Sequence, residues 1–248
     1  MSFPASLLAL ALVLPTAAEL PDVDTLLDRV DDVWRGDSSK AEVTMKVKTA
    51  HYERTMRMRA WTMGTEHTLV RILAPLKERG SATLKAGDTI YTYLPKTDRT
   101  IRLTSGMMGG SWMGSHFTND DLVKETRMRL DYDAEVTFHG VRDDREVIEL
   151  TLIPKPDAAV VWGKVVTVVD SESYNPVEIT YYDEDDEVAR TATFSDVGEL
   201  GGRTIPRSMT MAPADHPDEF TRIEYEELDF DVALTEAFFS VSRIKRRR

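Results

Sequence analysis

A chain of 248 residues is long enough to bury a sizeable core without covalent staples. It contains no cysteine, which excludes disulfides, thiolate-bound zinc, iron–sulfur clusters, a cysteine nucleophile and a lipid anchor on cysteine. With 43 acidic against 31 basic residues and a net charge of −12, it lacks the concentrated basic face that nucleic-acid binding requires.

The chain opens on an apolar run, Leu7 to Leu14, bounded by Pro15. Thr16-Ala17-Ala18 then offers the small residues that a signal peptidase reads, so residues 1–18 are expected to be a signal peptide, cleaved after Ala18. Residues 2–6 carry no Lys or Arg, so only the terminal amine supplies positive charge. The competing reading of this run is a buried N-terminal strand or helix. The run is too short to span a bilayer, and no other stretch is long and apolar enough. The expectation is export to the periplasm or beyond, free of a membrane anchor, with residues 19–248 forming one domain.

Residues 21–35 read as a helix. Val23, Leu26, Leu27, Val30, Val33 and Trp34 recur at helical spacing, and Asp24, Asp28, Asp31 and Asp32 take the other face. Gly36 supplies a stop. After Ser38 the period changes to two. Val43, Met45 and Val47 alternate with polar residues, as do Met56 and Met58, Val70 and Ile72, and Ile101 and Leu103. The signal returns at Val136–Phe138, Ile148–Leu152, Val160–Val169, Val177–Tyr181, Val188–Phe194, Ser208–Met211 and Phe220–Phe230. Turn residues divide these runs at Ala86-Gly87-Asp88, Pro95 to Asp98, Asp143-Asp144, Pro154 to Asp157, Asn175-Pro176, Asp183 to Asp186, Gly201-Gly202 and Pro213 to Asp218. Many strands at short spacing with few helices predict an antiparallel barrel or a strongly curved sheet.

One segment breaks the alternation: residues 105–117, SGMMGGSWMGSHF. Glycine gives backbone freedom and Met an adaptable apolar surface. The segment is either a mobile lid over an apolar cavity or an ordered loop packing Met and Trp into the core. At the far end, Arg243, Lys245, Arg246, Arg247 and Arg248 make the one basic run. It reads as a solvated end, or as a weak contact with anionic lipid or an acidic partner.

Little points to chemistry. His51, His67, His116, His139 and His216 show no metal-ligand spacing. Ser115 precedes His116, but sequence neighbours rarely face one another, and GGSWM around Ser111 lacks the second glycine of a nucleophile elbow. The acidic cluster Asp183 to Glu187 most simply caps a hairpin. No phosphate loop or dinucleotide fingerprint is present, so no catalytic residue, metal or cofactor is assigned. The 11 Met, 4 Trp, 8 Tyr and 8 Phe can line an apolar pocket or fill a dry core.

Several motifs in order resemble the LolA-like family of outer-membrane lipoprotein-sorting proteins, over residues 35 to 242. The most specific is MGSHFTNDDL, Met113 to Leu122, in which Gly114, Ser115, Phe117, Thr118, Asp120, Asp121 and Leu122 match; His116 departs from the usual acidic residue. Arg71-Ile72-Leu73-Ala74-Pro75 with Gly80 and Leu84, then Tyr91-Thr92-Tyr93-Leu94-Pro95, resemble the family's strand–proline–turn and its aromatic strand. Tyr182-Asp183, Gly202, Ile205-Pro206, Met209 and Phe239-Ser240 fit its closing strands.

The resemblance implies a mostly β fold: a half-open, strongly curved antiparallel β-barrel closed by a helical lid, with acyl chains on the concave side. It implies lipoprotein or lipid cargo, an inner-membrane transporter, RND-type exporters included, and an outer-membrane acceptor. The residues assigned to the acyl site are Met45, Met56, Met58, Tyr91 and Tyr93 on strands, with Met108, Trp112, Met113 and Phe117 in the lid. Ser115, Asp120 and Asp121 read as helix-capping residues in preference to ligand contacts. Two alternatives stay open: a lipid hydrolase using Ser115 and His116, and a non-catalytic adaptor that docks on an exporter with its cavity dry.

Overall fold

The computed structural model describes residues 20–124, 128–158 and 160–245. The expected signal peptide and Arg246, Arg247 and Arg248 of the basic tail lie outside the described residues. Helix α1 (Val23–Arg35) starts where Asp22 accepts from Thr25 N at 3.0 Å. Its Leu26 and Leu27 are buried against the sheet. It ends at Gly36, whose φ of 56° and close neighbours Arg203 and Phe230, each 3.2 Å from a Cβ placed there, both favour glycine.

Six strands follow: β1 (Ser38–Lys48), β2 (Glu53–Met63), β3 (His67–Ala74), β4 (Ala82–Ala86), β5 (Thr89–Leu94) and β6 (Arg99–Arg102). Residues 103–124 and 128–131 then cross the molecule, carrying two single 3-10 turns and the short helices α2 (Asp121–Lys124) and α3 (Met128–Asp131). The second run comprises β7 (Tyr132–Arg142), β8 (Arg145–Pro154), β9 (Lys164–Asp170), β10 (Pro176–Tyr182), β11 (Val188–Leu200), β12 (Arg203–Pro213) and β13 (Phe220–Phe230). A last helix, α4 (Val241–Ile244), closes the described chain.

All thirteen strands form one antiparallel sheet in the order β6-β5-β4-β3-β2-β1-β13-β12-β11-β10-β9-β8-β7. The β1–β13 ladder, from Ser39↔Phe230 to Lys48↔Phe220, joins two meanders that run in opposite directions from it. β6 and β7 are therefore the free edges, and the curved sheet stays open between them. This is the strongly curved antiparallel sheet that the alternating pattern predicts, and the mostly β, half-open architecture that the family resemblance implies. The hairpins turn where expected: Asp143 and Asp144 both have positive φ, as do Gly201 and Gly202.

One strand starts later than the alternating pattern has it, and one does not show in that pattern at all. The strand expected from Val160 starts only at Lys164. Gly163 explains the delay, because a Cβ there would lie 2.4 Å from Asp183 O, so the chain enters the sheet through a close backbone approach. β4 carries no alternation signal because four of its five residues are buried, on both faces of the sheet.

Each face has its own core. The inner face holds the larger cluster, including Leu26, Met45, Met56, Met58, Leu150 and Met211. On the outer face, Leu69, Ala82, Leu84 and Tyr93 are covered by the C-terminal segment through Phe239 and Ile244. Phe238 stacks 5.5 Å from Trp61, and Arg71 Nη2 donates to Arg243 O at 3.1 Å, closing the end of α4. Beside it, Glu42 is buried between Arg57 and Arg59. Hydrogen bonding from Arg59 holds its carboxyl below the usual range, against the opposing cost of burial.

Candidate functional site

An apolar cavity of about 280 Å³ lies between the inner face of the sheet, α1 and the crossing segment. Its walls come from alternate residues of successive strands: Ala41 and Val43 on β1, Met58 and Ala60 on β2, Val70 on β3, Ile179 on β10, Phe194 on β11, Met209 on β12, and Ile223, Tyr225 and Leu228 on β13. Leu27 and Val30 of α1 close one side, and Trp112, Phe117 and Leu122 of the crossing segment another. Ligand pockets run from roughly 300 to 1,000 Å³, so the cavity falls just below that range.

Polar contacts at the rim fix the two covering elements. Arg203 Nη1 donates to Asp32 O and to Val33 O, satisfying carbonyls at the C-terminus of α1, and its guanidinium lies 3.8 Å from the Phe230 ring. Arg29 donates to Tyr174 Oη at 2.6 Å, and Arg129 of the crossing segment grips Asp28 at 2.7 and 2.8 Å.

The crossing segment is more deeply anchored. Arg190 on β11 projects to the inner face and pairs with Asp121 through two bonds of 2.8 and 2.6 Å. The same guanidinium donates to His116 O at 3.0 Å and lies over the adjoining rings of Trp162 and Tyr181, 4.3 and 4.4 Å from their centroids. Desolvation of this cation is thereby met by a bidentate partner, a carbonyl and two π faces. Trp112 Nε1 donates to Thr83 Oγ1 at 3.1 Å, which satisfies the one polar atom of a buried indole. Tyr52 Oη donates to Gly114 O. Thr118 and Asp121 form a reciprocal cap: Thr118 N donates to Asp121 Oδ2 at 2.7 Å, and Asp121 N to Thr118 Oγ1 at 3.2 Å. Asp121 thus caps with Thr118 and not with Ser115.

Ser115 and His116 face different partners. Ser115 Oγ donates to Trp112 O at 2.7 Å and accepts from Phe117 N at 3.2 Å. The His116 ring meets Thr221 Oγ1 at 2.9 Å through Nδ1 and Glu219 at 3.2 Å through Nε2. Thr221 is fully buried and also accepts from His116 N at 3.0 Å, so this threonine–histidine–glutamate chain tethers a loop and offers no accessible nucleophile. Glu219 also accepts from Ala50 N at 2.7 Å, and these two contacts hold its carboxyl below the usual range, the Ala50 bond most strongly. Among the described residues no group of His, Asp and Glu is arranged to hold a metal ion.

The residues assigned from sequence divide four ways. Met58, Trp112 and Phe117 line the cavity. Met45 and Met56 are fully buried in the same inner cluster, with Met113 packed against it, but none of the three lines the cavity. Tyr93 is buried in the outer-face cluster, with Tyr91 packed against it, on the side of the sheet away from the cavity. Met108 is half-buried near the start of the crossing segment, where its carbonyl accepts from Asp120 N at 2.9 Å. Arg190, Thr221 and Glu219 were not singled out from sequence. For Arg190 a signal exists: it falls in phase with Ala192 and Phe194, an arginine on the apolar face of its strand.

Comparison with known proteins matches this architecture to solved structures. A LolA superfamily protein from Nitrosomonas europaea superposes with a TM-score of 0.74 at 21% identity, covering 88% of this chain and 97% of that one. A DUF1329 family protein from Desulfovibrio piger gives 0.77 at 20% identity, covering 89% and 96%. An outer membrane lipoprotein-sorting protein domain from Vibrio parahaemolyticus gives 0.76 at 23% identity, covering 90% and 97%. A family model described as "Uncharacterized protein" matches residues 64–246. No curated protein matches the chain in sequence.

Proposed function

The chain belongs to the family matched over residues 64–246 and has the LolA-like fold, and on that premise we propose that it is a periplasmic carrier of acyl chains. On this reading residues 1–18 direct export and are removed, and the remainder works as one domain. The cargo is a lipoprotein or a lipid, taken from an inner-membrane transporter, RND-type exporters included, and passed to an acceptor at the outer membrane.

The observation that carries the reading is the apolar cavity between the sheet, α1 and the crossing segment. Each methylene buried there contributes about 0.8 kcal/mol, so ordinary acyl chains bind without a charged contact. Cargo then leaves when a partner offers a competing apolar site. Among the described residues no helix is long and apolar enough to cross a membrane. A hydrolase built on Ser115 and His116 gains no support from the geometry, since their side chains are committed to different partners.

Native mass spectrometry with lipid extraction, on protein purified from a bacterial envelope, tests the proposal. Species carrying acyl chains are expected. Ala60→Phe, which fills the cavity without burying a charge, is expected to reduce the lipid-bound fraction by about tenfold, the effect of roughly 1.4 kcal/mol. A wild-type protein that carries no lipid and takes up no acyl probe would sink the carrier reading.

A further inference from the structure

Three hydroxyl side chains stand in one row across the first three strands. Ser39 on β1 is the register partner of Thr62 on β2, and Thr62 of Thr68 on β3. All three line the cavity. Every other lining residue of these strands is apolar: Ala41, Val43, Met58, Ala60 and Val70. The wall therefore changes from hydrocarbon to hydroxyl at one level on all three strands. Ser39 is buried, and its Oγ lies 2.7 Å from Thr62 Oγ1. That contact uses one proton, so the pair retains a second O–H, and Thr68 adds a third. A fourth hydroxyl lies on β9: Thr167 lines the same cavity, and its Oγ1 is buried with no hydrogen-bond partner.

The charges of the lining argue about the ligand's own charge. They are Asp31, Asp121 and Arg129. Arg129 is already gripped by Asp28 and Asp121 by Arg190. Among the described lining residues, an ionised carboxylate inside would meet two carboxylates and one arginine already held by Asp28, in a space where desolvation penalises charge. A neutral carbonyl oxygen meets no such penalty and can accept from the hydroxyl row.

We propose that the Ser39–Thr62–Thr68 row is a subsite for acyl carbonyl oxygens, so that the cavity takes esterified or amide-linked acyl chains in preference to free fatty acids. This rests on the carrier reading and specifies its ligand class. The test compares dodecane, methyl dodecanoate and dodecanoate, each competing with a bound fluorescent apolar probe at neutral pH, where the free acid is ionised. The ester is expected to bind about tenfold tighter than the acid. In the Thr62→Val, Thr68→Val variant the ester-over-hydrocarbon preference should fall about three- to tenfold, the effect of one lost hydrogen bond. Dodecanoate binding as tightly as its ester, or an unchanged preference in the variant, overturns the subsite while leaving the carrier standing. Failure of dodecane itself to bind the wild-type protein overturns the carrier reading and this one with it. The ester-to-acid comparison needs no variant, so a variant that fails to fold does not shelter the idea.

Discussion

Arg190 shows how one side chain on the wrong face of a strand organises its surroundings. Alternation commits it to the inner face beside Ala192, where an unpaired cation would be expensive. Asp121, His116 O, Trp162 and Tyr181 answer that cost together, and in doing so they fix the crossing segment to β11. Tyr132, at the start of β7, shows the same economy in a titrating group. Burial first, then the Asp120, Asp131 and Asp121 carboxylates, pushes its phenol from an ordinary 10.0 up to about 12. The fold thus favours the neutral phenol. The stability this contributes is fully present below pH 10.0 and is lost as pH rises through about 12. Absorbance titration should find one of the 8 tyrosines ionising last, and Tyr132→Phe should remove that step and flatten the alkaline loss of stability. A late step that survives the substitution would reassign it.

At the scale of elements, the strands were readable because one face of each meets a core and the other meets charge. β2 is the clearest case, with Met56 and Met58 inward and Arg57 and Arg59 outward. β4 escaped for the opposite reason: Thr83 and Lys85 are buried on the inner side and Ala82 and Leu84 on the outer, so period two has no contrast to display. The crossing segment was visible as a break in the pattern, and Trp112 and Phe117 do face the cavity. Its fastening was not visible, because Thr83, Arg190 and Thr221 on strands, and Glu219 just before β13, are distant in sequence. Thr221→Val tests that fastening, since it removes the hydroxyl that accepts from His116 N. Amide exchange in residues 111–118 is expected to quicken about tenfold, as for one lost hydrogen bond, with β1 and β2 protection unchanged. Unchanged exchange would mean that Trp112 and Phe117 packing alone holds the loop.

For the molecule as a whole, binding governed by apolar burial has a distinct signature. A saturating hydrocarbon at a hundredfold its dissociation constant should stabilise the fold by about 2.7 kcal/mol. That gain should hold from about 0.05 to 0.5 M salt, because screening acts on charges and the walls are mainly apolar. A gain that collapses with salt, followed by thermal unfolding, would point to a charged contact as the source of affinity.

The sequence by itself determined the local facts. Helical spacing in α1, alternation in most strands and turn residues between them are each written within a dozen neighbouring residues, because periodicity and backbone freedom are local properties. Only the tertiary structure decided which apolar face meets which. Tyr91 and Tyr93 looked as suitable for an acyl site as Met58, yet strand parity and the covering C-terminal segment turn them to the outer core. Likewise Ser39, Thr62 and Thr68 are ordinary strand residues until pairing of β1, β2 and β3 sets them in one row. Register is the physical reason: it joins residues far apart in the chain, and no stretch of sequence states its partner.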